Sequence, residues 1–173
     1  VESGRIGTTN TSFGLNALSL NPTGTDNTAV GLYALTSNST GTDNTAMGSQ
    51  ALRNTTASYN VGIGNMALGA NTTGTYNTAI GYNAGNTGMT TSSTSVFIGA
   101  NAVGAGTGAQ DEIVIGANTT GNGEYSITLG NASYTKLYSP AAYNTDVLQA
   151  PNMVVLSSGQ ILRSVPGIAH NGE

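Results

Sequence analysis

Large apolar residues return along this chain at intervals of about seventeen, a period in the range of solenoid repeats, and each stands directly before a glycine. The pairs are Phe13-Gly14, Val30-Gly31, Met47-Gly48, Ile63-Gly64, Ile80-Gly81, Ile98-Gly99, Ile115-Gly116 and Leu129-Gly130. Alanine occupies the third position after most of these glycines, as Ala17, Ala34, Ala51, Ala67, Ala84 and Ala102, and Leu18, Leu35, Leu52 and Leu68 extend the pattern. Near-copies of a polar connector run between the units: Thr-Gly-Thr-Asp-Asn at 23 to 27 and 40 to 44, and Thr-Gly-Thr-Tyr-Asn at 73 to 77. One such unit buries too little to stand alone, whereas stacked units share a continuous core.

Within a unit, the alternation in Asn27-Thr-Ala-Val-Gly31 predicts a short strand with Thr28 and Val30 on one face and Ala29 on the other. The column of Thr28 holds Thr11, Thr45 and Thr78 but also Val61, Val96, Ile113 and Ile127. Because it accepts aliphatics, it is assigned to the core together with the column of Val30 and Ile80. Ala29, Ala46, Gly62 and Ala79 then form an outer face of small residues suited to close approach of another backbone. The glycine after each strand allows a sharp turn or close packing, and the Ala-Leu that follows predicts a second short strand. Eight units at about 4.8 Å each make a rod of roughly 40 Å. No apolar stretch at helical spacing is long enough for an amphipathic helix, so the fold class is all-β.

The units Asn-Thr-Ala-Val-Gly-x-x-Ala-Leu and Asn-Val-Gly-Ile-Gly-x-x-Ala-Leu resemble the head repeats of YadA-like trimeric autotransporter adhesins, which also occur in phage tail fibres and in bacterial surface fibres. The resemblance spans about residues 7 to 138. It implies a left-handed parallel β-roll solenoid, three copies of which associate as a homotrimeric β-prism with hydrophobic and small residues at the threefold centre. The chain departs from that pattern in its longer unit and in Phe97 and Val114, which stand where small residues are usual and imply a looser contact between chains there. Ile127-Thr-Leu-Gly-Asn-Ala-Ser-Tyr-Thr-Lys-Leu-Tyr138 resembles the segment before the self-cleaving chaperone domain of phage fibres and tailspikes.

Composition narrows the functional classes. Only 7% of the 173 residues are charged, the formal net charge is −4, and Arg5, Arg53, Lys136 and Arg163 form no positive stripe for a phosphate backbone, so nucleic acid is not an expected partner. The absence of cysteine removes disulfides and thiolate metal sites. No apolar run approaches the length that crosses a bilayer, and no membrane insertion is expected of this segment. The start at Val1 carries neither a signal peptide nor a lipidation motif, and the chain reads as a piece of a longer fibre.

The repeat ends at Tyr138, and Ser139-Pro140 marks a boundary. Residues 1–138 are read as the β-roll and residues 139–173 as a capping or tip segment. In the latter, Met153-Val-Val-Leu156, Ser-Ser-Gly and Gln160-Ile-Leu-Arg163 predict a β-hairpin.

Catalytic chemistry finds little to work with. The sole histidine, His170, lies in a tail containing Gly and Asn and reads as solvated. Asp111 and Glu112 are adjacent carboxylates, but neighbours on a strand point to opposite faces, so they read as a charged strand edge rather than as an acid pair. Asp26 and Asp43 share a loop column and read as turn formers, since the Gly-Gly-x-Gly-x-Asp of calcium-binding rolls is absent. No enzyme, cofactor or metal site is expected.

Tyrosine carries the binding argument, because an exposed ring beside Asn, Ser and Thr can stack on a sugar while its hydroxyl bonds to it. Tyr59, Tyr76 and Tyr82 lie on the roll and read as packing or plain surface; Tyr134, Tyr138 and Tyr143 near its end are the candidate ligand-binding residues. The expected function is that of an extracellular trimeric fibre segment, on a bacterial surface or a phage tail, attaching to a glycan or receptor of a target cell through its distal end. The alternatives are a purely structural shaft, an ice-binding solenoid and a polysaccharide-degrading tailspike. Ice binding is disfavoured by placing the threonine column in the core, and the tailspike by the lack of a carboxylate-lined groove.

Overall fold

The computed structural model of the chain describes residues 9–87 and 90–131, together with the backbone of two further strands. Eight three-residue strands, β1 (Thr11–Phe13), β2 (Thr28–Val30), β3 (Thr45–Met47), β4 (Val61–Ile63), β5 (Thr78–Ile80), β6 (Val96–Ile98), β7 (Ile113–Ile115) and β8 (Ile127–Leu129), form one parallel sheet in chain order. Equivalent residues pair in register, Thr28 with Thr45, Ala46 with Gly62 and Ile80 with Ile98 among them. The chain is thus a parallel β-solenoid of about seven turns whose columns are those of the repeat, with no helix among the described residues. Met153–Val155 (β9) and Ile161–Arg163 (β10) pair antiparallel, as expected of the C-terminal hairpin. The chain divides into two compact units, Val1–Tyr134 and Thr135–Glu173.

The coil turns its faces the opposite way from the expectation. Ala29, Ala46, Ala79, Phe97 and Val114, the central strand residues, are fully buried, while Met47, Ile63, Ile80, Ile98 and Ile115 lie exposed on the outer side of the same strands. The reason is volume. The interior is already occupied by Ala34, Ala51 and Ala67 and by the leucines that follow them, so the inward strand position has room for little more than a methyl group. Phe97 and Val114 point inward and lie nowhere on the outer face, which removes the reason to expect a looser contact between chains.

Phe97 compensates for a gap in the leucine column. Gly85 stands where the preceding units carry Leu68 and Leu52, and a Cβ there would lie 2.9 Å from Leu68 Cδ2 and 3.0 Å from Phe97 Cδ2. The phenyl ring reaches the space that a leucine would fill. Volume moves from one column to another while the core stays closed, as a close-packed interior requires.

The Ala-Leu segment is not a second strand. Leu18, Leu35, Leu52 and Leu68 adopt φ of 52°, 50°, 50° and 52°, left-handed values that reverse the chain within the turn. Leucine is disfavoured there by its Cβ, but each buried leucine is worth roughly 1.5–3 kcal/mol by the area removed from water. Leu35 N–H still donates to Ala51 O in the next layer (3.1 Å), so a backbone ladder continues through the corner.

Two columns hold the layers at a common spacing. Gly14, Gly31, Gly48, Gly64, Gly81, Gly99 and Gly116 have φ between 129° and 138°. A Cβ on Gly48 would sit 2.5 Å from the carbonyl oxygen of Gly64, so backbone meets backbone with no allowance for a side chain. The second column is a buried asparagine ladder. Asn10 Oδ1 accepts from Asn27 N–H (2.8 Å), Asn27 Oδ1 from Asn44 N–H (3.0 Å), Asn44 Oδ1 from Asn60 N–H (3.0 Å) and Asn60 Oδ1 from Asn77 N–H (3.0 Å). Each side chain also reaches across a corner, as Asn27 Nδ2 does to Gly41 O (2.8 Å) and Asn44 Nδ2 to Ala57 O (2.8 Å). Nothing in the sequence reading anticipated this ladder.

Two outcomes follow in thermal or denaturant unfolding. Gly48→Ala should destabilise by at least about 1–3 kcal/mol from the disallowed backbone alone, with the clash adding to it. Asn44→Ala orphans Asn60 N–H and Ala57 C=O and should cost about 2–6 kcal/mol at roughly 1–3 per buried group, whereas Asp43→Asn, one residue away on the surface, should stay within about 0.5 kcal/mol. Equal effects at positions 43 and 44 would contradict the ladder.

Candidate functional site

The most extensive feature that the fold presents to a partner is the outer face of its parallel sheet. One column on it runs Phe13, Val30, Met47, Ile63, Ile80, Ile98, Ile115, Leu129; the other runs Thr11, Thr28, Thr45, Val61, Thr78, Val96, Ile113, Ile127. Neither contains a charged residue. Phe13 is 67% exposed and Ile80 41%, so the apolar surface spans the sheet from its first strand to its last. At about 4.8 Å per layer, seven spacings give a stripe of roughly 34 Å. Contiguous apolar surface of that extent marks an interaction site rather than ordinary exposure.

A second column projects from the connectors, two residues before each strand. Asp26, Asp43, Tyr59, Tyr76, Thr94, Asp111 and Tyr125 take equivalent positions, all with φ between 54° and 63°. The two aspartates sit on left-handed turns, as their reading as turn formers requires. The hydroxyls of Thr9 and Thr25 hold the Asp26 carboxyl below its ordinary range, so its small contribution to stability is present above that range and lost as pH falls through the lowered value. Tyr59 and Tyr76 stack with ring centroids 4.8 Å apart and planes within 6° of parallel.

The acidic pair precedes β7 and is not on a strand: Asp111, at a left-handed φ of 54°, is on the surface, while Glu112 is fully buried. Glu112 continues the asparagine ladder. Its own N–H donates to Ser95 Oγ (3.2 Å), and its carboxylate accepts from Gly123 N–H (2.9 Å) and Ala105 N–H (3.3 Å), tying two irregular connectors to the coil. The sequence reading took this residue for a charged edge and missed its burial; its place after Asn77 and Ser95 in the column was the available signal. Among the described residues no three His, Cys, Asp or Glu side chains converge as metal ligands.

Tyr134, Tyr138 and Tyr143, the candidate ligand-binding residues, and His170 lie outside the described residues. Tyr82 is exposed on the roll, separate from the stacked pair.

The fold and its outer face define a parallel β-solenoid repeat protein with an uncharged apolar sheet surface. Compared with protein-family models, curated proteins and solved structures, the chain matches none.

Proposed function

We propose that this chain is a segment of a homotrimeric extracellular fibre, on a bacterial surface or a phage tail, which attaches to a glycan or receptor of a target cell and carries out no catalysis. The observation that supports this reading most is the outer apolar face, repeated without interruption through eight layers and free of charge. A partner with the same axial repeat matches such a face layer for layer, and a second and third copy of this chain have that repeat by construction. Three such faces around an axis close a cyclic assembly and leave no apolar stripe in water. The resemblance of the repeats to YadA-like heads supplies the left-handed coil and the number three. The C-terminal segment, with its hairpin, is then the capping or tip element, and Tyr134, Tyr138 and Tyr143, near the end of the roll, are the proposed contacts with the target.

Ice binding is the second reading, and one observation favours it. Thr11, Thr28, Thr45 and Thr78 stand on the outer face, so the argument from their burial falls. Val61, Val96, Ile113 and Ile127 interrupt the threonine column, and the apolar column beside it favours a protein partner.

Light scattering decides between them. The expected mass is three times 17.3 kDa, and Ile80→Asp, which places a charge at the centre of the apolar face, should return the chain to 17.3 kDa with its β circular dichroism retained. A wild-type chain that stays at 17.3 kDa would sink the trimeric fibre, and inhibition of ice recrystallisation by that monomer would establish the second reading.

A further inference from the structure

The column that holds the stacked tyrosines breaks off in a way that leaves room for a ring. Tyr59 and Tyr76 continue the layer spacing with their side chains, since 4.8 Å between centroids equals the distance between neighbouring strands. Tyr59 is 47% and Tyr76 58% exposed. The next layer carries Thr94 in the same column, and the one after it Asp111, both on the surface; the backbone ladder carries the column through them, with Thr94 N–H donating to Thr75 O (2.9 Å) and Asp111 N–H to Ser93 O (3.3 Å). Between the face of Tyr76 and Asp111 there are two layer spacings, about 10 Å, occupied in the column by one short side chain.

Four of the seven residues in this column, Tyr59, Tyr76, Thr94 and Tyr125, are not of the types that the turn selects. A left-handed φ favours Asn, Asp or Gly, and Asp26, Asp43 and Asp111 comply. Tyr59 and Tyr76 are bulky at φ of 63° and 58°, and Thr94, branched at Cβ, is among the least suited residues for its φ of 56°. Such departures at adjoining positions point to a role for the side chains rather than for the turn.

We propose that the slot over Thr94 binds a neutral saccharide, one pyranose ring stacking on the free face of Tyr76 as the next member of the aromatic ladder. A pyranose has an apolar face for the π surface and hydroxyls at its rim. Thr94 shares the layer of that ring and Asp111 stands in the column one layer beyond it, and a carboxylate, which only accepts, is matched to sugar hydroxyls that donate. The same charge, together with the net −4 of the chain, disfavours uronates and other acidic sugars. This site lies on a single coil, in the column two residues before the strands. It therefore goes beyond the fibre reading and does not depend on three chains associating.

The test is saturation-transfer NMR on the whole chain with methyl glycosides of glucose, galactose and mannose, and with glucuronate and galacturonate as acidic controls. At least one neutral glycoside should receive saturation and the uronates should not. Tyr76→Ala should weaken that binding at least tenfold, while Tyr82→Ala and Tyr125→Ala leave it unchanged. Thr94→Tyr should extend the stack into the slot, abolish binding and keep or raise the melting temperature, which separates a filled site from an unfolded one. No neutral glycoside bound by the wild type, or binding undiminished in Thr94→Tyr, overturns the proposal. Light scattering on the same samples keeps the two readings apart, since a monomer that binds refutes the fibre but not the slot, and a trimer that does not bind refutes the slot but not the fibre.

Discussion

At the glycine corner the carbonyl of one layer lies against the place where the preceding layer's glycine would carry a Cβ, and that contact sets the terms for the rest of the coil. Backbones this close leave a single axial spacing, so every other column must stack at the same interval whatever its residues prefer. The buried asparagines are shaped for this, because one amide can both accept from the layer after it and donate across a corner. The leucines at positive φ accept a local cost under the same constraint, offset by burial in a core too narrow for larger groups at the strand. None of these residues is well placed in isolation. Each is stabilised by the copy above and the copy below, which is the cooperativity expected of a one-dimensional array.

The same regularity shapes the surface. A column that must repeat at one spacing also displays whatever it holds at that spacing, so a run of aliphatics becomes a continuous stripe and a pair of tyrosines becomes a stack. Departures from the repeat are then the informative positions. Phe97 with Gly85 conserves core volume, Glu112 converts an amide ladder into a buried carboxylate that gathers two connectors, and Thr94 interrupts an aromatic column.

Much of the architecture was legible before any coordinates, and the limits of that reading have physical causes. The parallel roll was implied by the resemblance of the repeats and the C-terminal hairpin by its two apolar runs, while the period, the first strand of each of the eight units and the glycine turns all follow from spacing. The sides of the strands do not. Assigning Val30 and Ile80 to the core applied the rule that larger apolar residues face inward, which fails where the interior is filled by another column and the outer face has a use of its own. Asparagine before each strand read as connector because polarity at a loop boundary is ordinary, and only three-dimensional register shows its amides bonding to one another. The Ala-Leu pairs read as strand because left-handed leucine is too uncommon to expect. Tyr59 and Tyr76 read as packing or plain surface, because their stacking depends on the loop lengths that bring positions 59 and 76 into one column.

The asparagine ladder also bears on how such a chain can change length. From Asn10 to Asn77 each layer presents the same acceptor to the layer after it and the same donor to the one before, so whole units in that stretch are interchangeable at their junctions. Recombination that duplicates or deletes one of them leaves every joint chemically as it was. Past Ser95 the joints become individual, with a hydroxyl and then a carboxylate bound to particular connectors. The coil thus has an expandable part and a fixed part, and the boundary between them is written in the side chain that receives each layer's first amide proton.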